Sequence, residues 1–206
     1  PPFGAASEPE YSVINKLAEG GMGAVYVARQ TSLDRKLAIK TLKPMKPTQE
    51  QRLEASGKLM ETQRQRRKMF LTEAAVTANL VHPNIISIHD LGETSKGIPY
   101  YSMKLVNGTA WNDGIRGQTL GQNIDVLLSV ADAVAYAHHR GVINRDLKPE
   151  NVILGEYGEV VVLDWGLASS LAGANGAFSS AASDSTTLGQ GTPVYMAPEM
   201  LLGPPE

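Results

Sequence analysis

In the stretch VINRDLKPEN, Val142–Asn151, a carboxylate (Asp146), an ammonium (Lys148) and an amide (Asn151) share one short polar loop. A second carboxylate, Asp164, closes the apolar run of VVVLDWG. Two aspartates and an asparagine at adjacent strand ends supply hard oxygen ligands for magnesium and leave one carboxylate free for proton handling. Phosphoryl transfer requires both. Upstream, LAEGGMGAVYVA contains Gly20, Gly21 and Gly23. These let a backbone bend close over a bulky group while its N–H groups cradle phosphate oxygens. Taken alone, the segment reads equally as an ordinary Gly-rich turn. In LAIK, Lys40 ends an apolar strand. A buried ammonium needs a carboxylate or phosphate partner, and Glu73 is the natural candidate.

The elements that must position these groups follow from periodicity. Between Tyr11 and Thr41, the segments YSVINKL, AVYVARQ and KLAIKTL alternate or run in short β-branched groups, as an antiparallel meander does. Because AVYVARQ alternates like a strand, the glycine segment is a hairpin lid and not the strand–helix turn of a dinucleotide fold. Pro44 and Pro47 break the meander. A stretch rich in Gln, Glu, Leu, Lys and Arg then runs to about Leu80, as one helix or as two joined near Gly57. HPNIISIHDLGE and GIPYYSMKLV predict two further strands with a turn at Lys96 and Gly97. From Asn123 to Arg140, Ile124, Leu127, Leu128, Val130, Ala131, Val134, Ala135 and Ala137 recur on a helical period that Gly141 closes. NVILG and EVVVLDWG predict a hairpin about Glu156–Gly158, and Ala168–Gln190 is a Ser-, Ala-, Gly- and Thr-rich loop.

Composition narrows the class. The 206 residues are 42% apolar, enough for a sizeable core. The formal charge of −2 gives no reason to expect nucleic acid or an anionic membrane as partner. The absence of cysteine excludes disulfides and thiolate metal sites and suits a reducing, cytoplasmic setting. No apolar run of about 18 residues predicts a membrane span, although an anchor can lie outside this sequence.

Taken in order, the Gly-rich loop, LAIK, the helix glutamate in FLTEAAVTANLVHPNI, NRDLKPEN, DWG and GTPVYMAPE make the chain resemble protein kinases of the bacterial Ser/Thr type. The resemblance spans about Leu17–Glu199 and implies an α+β, two-lobed fold. Residues 1–106 would form an N-lobe and hinge, with a five-stranded antiparallel sheet and a long helix. Residues 107–206 would form a partial, mainly helical C-lobe. It implies ATP and Mg2+ as cofactors and a protein substrate with a serine or threonine acceptor. By the same resemblance, Ala18, Gly20, Gly21 and Gly23 cover the ATP phosphates, while Lys40 holds two of those phosphates and pairs with Glu73. Val25, Ala38 and Ile153 sandwich the adenine, Met103 backs it, and Lys104 to Val106 form the hinge. Asp146 accepts the substrate proton, Lys148 steadies the γ phosphate, and Asn151 and Asp164 hold magnesium.

Several positions depart from the family pattern. Ala18 replaces the first loop glycine, and Trp165 a phenylalanine. Asn144 replaces a histidine that packs beneath that aromatic, and Thr77 is a second polar residue in the same column. Two polar members predict a looser active arrangement and open an alternative: a module that binds nucleotide or a partner with little phosphotransfer. The sequence reaches Glu206 shortly after Glu199, so the implied C-lobe is incomplete. The outward apolar face of Asn123–Arg140 would then favour self-association, with exchange of the activation segment as one route. Arg64–Lys68 reads as a solvated basic helix face, with docking of an acidic or phosphorylated partner as the alternative. Ser183, Ser185, Thr186 and Thr187 lie where activation-loop phosphorylation is expected, while Thr192 is expected to contact Asp146 and Lys148.

Overall fold

The computed structural model describes residues 10–20, 22–165, 169–170 and 191–196. Gly21, Ser183, Ser185, Thr186, Thr187 and Glu199 lie outside the described residues. Two units form, one from Pro1–Leu71 and Ile88–Leu105, the other from Thr72–Ser87 and Val106–Glu206.

The first unit is built on alternation. Strands β1 (Tyr11–Glu19), β2 (Gly23–Gln30), β3 (Arg35–Leu42), β4 (Ile88–Glu93) and β5 (Pro99–Met103) form one antiparallel sheet in the order β1-β2-β3-β5-β4. Side chains on a strand point alternately to opposite faces, and cross-strand partners share a face. Ala28 pairs with Leu37 and Tyr26 with Ile39, so one face carries a small cluster of Ala28, Leu37 and Ile39 capped by Tyr11 and Tyr100. The two tyrosine rings meet edge-on at 5.9 Å. The opposite face carries Val25, Val27, Ala38, Lys40, Tyr101 and Met103.

The charged segment after Pro44 forms two helices, α1 (Pro47–Ala55) and α2 (Leu59–Ala78). Pro47 opens α1, where its missing N–H is harmless, and Gly57 separates the helices at φ +68°, a left-handed angle that favours glycine. Within the first unit, Phe70 of α2 is buried against the Tyr101 ring at 5.2 Å. The basic run on α2 is only partly solvated. Arg66 donates to the Lys43 carbonyl, and Arg67 bonds the Gly97 carbonyl and the Glu93 carboxylate, whereas Arg64 and Lys68 are exposed.

The second unit is organised by α4 (Leu120–His139), after β6 (Gly108–Ala110) and α3 (Trp111–Gly114). Thr119 and Gln122 form a reciprocal capping box at the start of α4, and Gly141 at φ +75° follows its end. Val126, Val130, Ala133 and Ala137 are its buried stripe. They pack with Val76, Leu80, Trp111, Val142, Val152, Val162 and Trp165, each fully buried aliphatic side chain contributing about 1.5–3 kcal/mol before entropy is counted. The sequence periodicity mixed two faces, because Ile124, Leu127 and Leu128 are exposed. Beside its polar side at Gln122, Asp125, Ser129 and Asp132 the helix carries two apolar faces, so periodicity has no means of choosing the inward stripe.

Strand β7 (Val142–Ile143) precedes the hairpin of β8 (Val152–Gly155) and β9 (Val160–Val162), and β10 (Ser169–Ser170) pairs back onto β7. The hairpin turns at Glu156–Gly158, where Tyr157 and Gly158 take positive φ. Sequence patterning gave no sign of β6. It pairs with β8 so closely that a Cβ on Gly108 would lie 2.1 Å from the Leu154 carbonyl oxygen.

Candidate active site

In the second unit, the loop bearing Asp146 is strung between two core residues. Val142 is buried at its start and Val152 at its end. Pro149–Asn151 makes a single tight helical turn, closed by the Asn151 N–H to the Lys148 carbonyl at 2.9 Å. The Leu163 N–H donates to the Asn151 carbonyl at 2.7 Å, and Val152 pairs with Val162. The hairpin register thus brings Asn151 and Asp164 to the same end of β8 and β9. Asp164 adopts φ +43°, in the left-handed region unusual for a residue with a side chain, and is followed by the buried Trp165.

The Asp146 carboxylate is held from three directions. Its Oδ1 accepts the Thr192 hydroxyl at 2.8 Å. Its Oδ2 lies 2.7 Å from Lys148 Nζ and 3.3 Å from Asn151 Nδ2, which also donates to the Asp146 carbonyl at 2.9 Å. Lys148 Nζ in turn donates to Thr192 Oγ1 at 2.7 Å. Partial burial pushes the Asp146 pKa up, but the hydrogen bonds from Lys148 and Thr192, the Lys148 charge and Asn151 outweigh it. The group is held below the usual carboxylate range. Thr192 is positioned by Gly191 at φ +129°, where a Cβ would come within 2.8 Å of the Arg145 carbonyl oxygen.

The polar substitutions noted in the sequence have partners. Asn144 Oδ1 accepts the Asp146 N–H at 2.9 Å, and its Nδ2 donates to the Asp164 carbonyl at 3.2 Å. The Thr77 hydroxyl donates to the Glu73 carbonyl at 2.8 Å. Glu73 itself is buried on α2, at 6% exposure. Ile153 is half-buried in β8 and pairs with Val161 and Ala110, and Val106 is half-buried near Gly155.

In the first unit, register brings the remaining site residues together. Ala18 pairs with Val25, Val25 with Lys40, and Lys40 with Tyr101; on the same face Val27 pairs with Ala38, and Ala38 with Met103. Lys40 Nζ sits 5.7 Å from the centre of the Tyr101 ring, a cation–π contact whose aromatic partner sequence reading missed. Its signal was available, since Tyr101 and Met103 are two apart on one strand. Lys104 is exposed just beyond β5.

The glycine loop has a mixed explanation. A Cβ on Gly23 would lie 2.8 Å from the Thr41 carbonyl oxygen and 3.4 Å from Lys40 Cε, so close strand approach alone requires glycine there. The Gly20 N–H is already bonded to the Gly23 carbonyl at 2.9 Å. Glu19, just before the turn, bonds both Lys16 and Lys43 and braces the hairpin.

The protein kinase domain family matches residues 11–205. The chain belongs to this family. The serine/threonine-protein kinase PknD of Protochlamydia amoebophila is 36% identical over 95% of this chain and 21% of its own length. PknD of Chlamydia trachomatis serovar D is 32% identical over 94% of this chain and 22% of its own. PknD of Chlamydia felis is 32% identical over 95% and 22%. The chain therefore spans about a fifth of the length of these curated relatives. The fold is that of the family, with its five-stranded antiparallel N-terminal sheet. Among the described residues, no helix is long and apolar enough to cross a membrane.

Proposed function

We propose that the chain catalyses transfer of the ATP γ-phosphoryl group to serine or threonine hydroxyls of protein substrates. Residues 1–106 would act as the nucleotide-holding lobe and residues 107–206 as the lobe that carries the acceptor chemistry. The observation that carries this reading is the Asp146 carboxylate, fixed by Lys148, Thr192 and Asn151 at the strand ends that also bear Asp164.

The donor set suits magnesium. Asn151 spends its Nδ2 on Asp146, which leaves the amide oxygen for a cation, and Asp164 adds a carboxylate. One amide oxygen and one carboxylate, completed by phosphate and water oxygens, are what a hard octahedral ion accepts. Bound there, Mg2+ would offset charge on the phosphate oxygens. Asp146 orients the acceptor hydroxyl and takes its proton on a carboxylate oxygen as the new O–P bond forms and the bond from the γ phosphorus to the bridging oxygen breaks, ADP leaving. Its fixed position makes orientation of the hydroxyl part of its work. Lys148 places a positive charge beside that carboxylate, suited to a transferring phosphoryl group. Lys40, on the sheet face with Val25, Ala38 and Met103, holds nucleotide phosphates while that apolar strip takes the base. The turn at Ala18, Gly20 and Gly23 covers the phosphates.

The test is phosphotransfer from ATP to peptides differing only in a serine, threonine or tyrosine acceptor, with Mg2+ and with excess chelator. Serine and threonine should be phosphorylated, tyrosine should not, and chelation or Asp164→Asn should abolish transfer. Transfer that persists in Asp164→Asn would place the activity elsewhere. Nucleotide binding with no transfer to any acceptor would support the alternative, a nucleotide-binding module.

A further inference from the structure

The amide of Asn144 engages two separate parts of the site at once. Its oxygen accepts the Asp146 N–H at 2.9 Å, and its nitrogen donates to the Asp164 carbonyl at 3.2 Å. These contacts meet the backbone of both aspartates and leave their carboxylates untouched. Asp164 is the residue at φ +43°, a left-handed conformation that aspartate adopts only occasionally. Its neighbour Trp165 is locked in the core at 1% exposure. The Asp164 peptide is therefore fixed on one side by buried aromatic packing and on the other by the Asn144 amide.

We infer that Asn144 is a positioning residue, an amide clamp that sets the Asp146 and Asp164 backbones relative to one another. For what the two aspartates do, the inference rests on the kinase reading above; the clamp itself does not. The side-chain chemistry is specific to the task. An amide presents a donor and an acceptor on one rigid plane and carries no charge to compete for the metal-binding carboxylate. A carboxylate at this position keeps the acceptor and loses the donor. An aliphatic side chain of the same size loses both. The residue that made the loop look weakened in the sequence is thus the one that ties it to the segment following β9.

Amide hydrogen exchange in the chain without nucleotide or metal, measured by NMR, tests the clamp independently of activity. Asn144→Leu should speed exchange at the Asp146 amide by about 10-fold while amides within α4 keep their rates. In Asn144→Asp the same amide should stay protected to within about twofold, because the acceptor remains. With ATP, Mg2+ and a serine peptide, Asn144→Leu should lower kcat by about 10-fold with little change in nucleotide KM, and Asn144→His, which again offers one donor and one acceptor, should recover part of it. Should Asn144→Leu fail to fold, Asn144→Ala takes its place in both measurements. An unchanged Asp146 exchange rate in the variant, or a rise shared equally by α4, overturns the clamp. Protection that depends on Asn144 in a chain with no phosphotransfer supports the clamp and counts against the kinase reading alone.

Discussion

Site residues in the first unit are positioned by backbone register, and those in the second by side-chain hydrogen bonds. Val25, Ala38, Lys40 and Met103 share a sheet face because three antiparallel strands pair in a fixed order. A slip of one residue in any of these strands would turn that strand's site residues to the other face. Asp146, Lys148, Asn151 and Thr192 lie in irregular segments, and the bonds among their own side chains set their geometry. The sheet should therefore tolerate changed side chains and fail when its backbones are forced apart. The loop should fail when a single polar atom is removed.

The largest effect that would sharpen this contrast is predicted at Gly23. A Cβ there meets a backbone oxygen at 2.8 Å, which no rotamer change relieves. Gly23→Val should destabilise the chain by about 1–3 kcal/mol, read as a lowered denaturation midpoint, and should weaken nucleotide binding because Lys40 lies beside the same clash. By contrast, Val25→Ile on the same strand should shift stability by less than about 1.5 kcal/mol. Equal losses for the two substitutions would break the register argument.

Next in size is Thr192. Thr192→Val keeps the shape and removes the hydroxyl that donates to Asp146 and accepts from Lys148. At roughly 1 kcal/mol for each lost bond, transfer to a serine peptide should fall by about tenfold or more, whereas Thr192→Ser should stay within a few-fold. Full activity in Thr192→Val would mean that these bonds do not set the loop geometry.

How much of this was legible in the sequence divides along the same line. Strand alternation exposed the sheet, because period-two patterning and register are the same information read twice. The hairpin at Glu156–Gly158 was equally visible, and the break at Gly57 was one of two readings, because each turn contains a glycine at positive φ. The inward stripe of α4 was not visible, because Ile124, Leu127 and Leu128 make an exposed apolar face beside the buried one. The role of Asn144 was also hidden. Its identity shows a donor and an acceptor, but only the fold reveals that Asp146 N–H and the Asp164 carbonyl are within its reach. Likewise, the sequence leaves Gly23 open between a ligand-covering turn and an ordinary one, and strand packing alone already requires glycine there.

The smallest predicted effect is on pH dependence. The folded state holds the Asp146 pKa below its ordinary value. A depressed carboxylate pKa stabilises the fold fully above the unfolded-state value, and that contribution is lost as pH falls through the folded-state value. The stability difference between the wild type and Asp146→Asn should therefore shrink on acidification through the carboxylate range. A difference that stays constant there would mean that the bonds from Lys148 and Thr192 do not favour the ionised form.

The central claim is that Asp146 acts on the acceptor while Lys40 acts on the nucleotide. It is tested most directly by measuring nucleotide Kd and single-turnover phosphotransfer for Asp146→Asn and Lys40→Met side by side. Asp146→Asn should lose transfer by about 10²–10⁴-fold with Kd nearly unchanged, and Lys40→Met should weaken nucleotide binding as well as transfer. Wild-type transfer rates in Asp146→Asn would contradict the account.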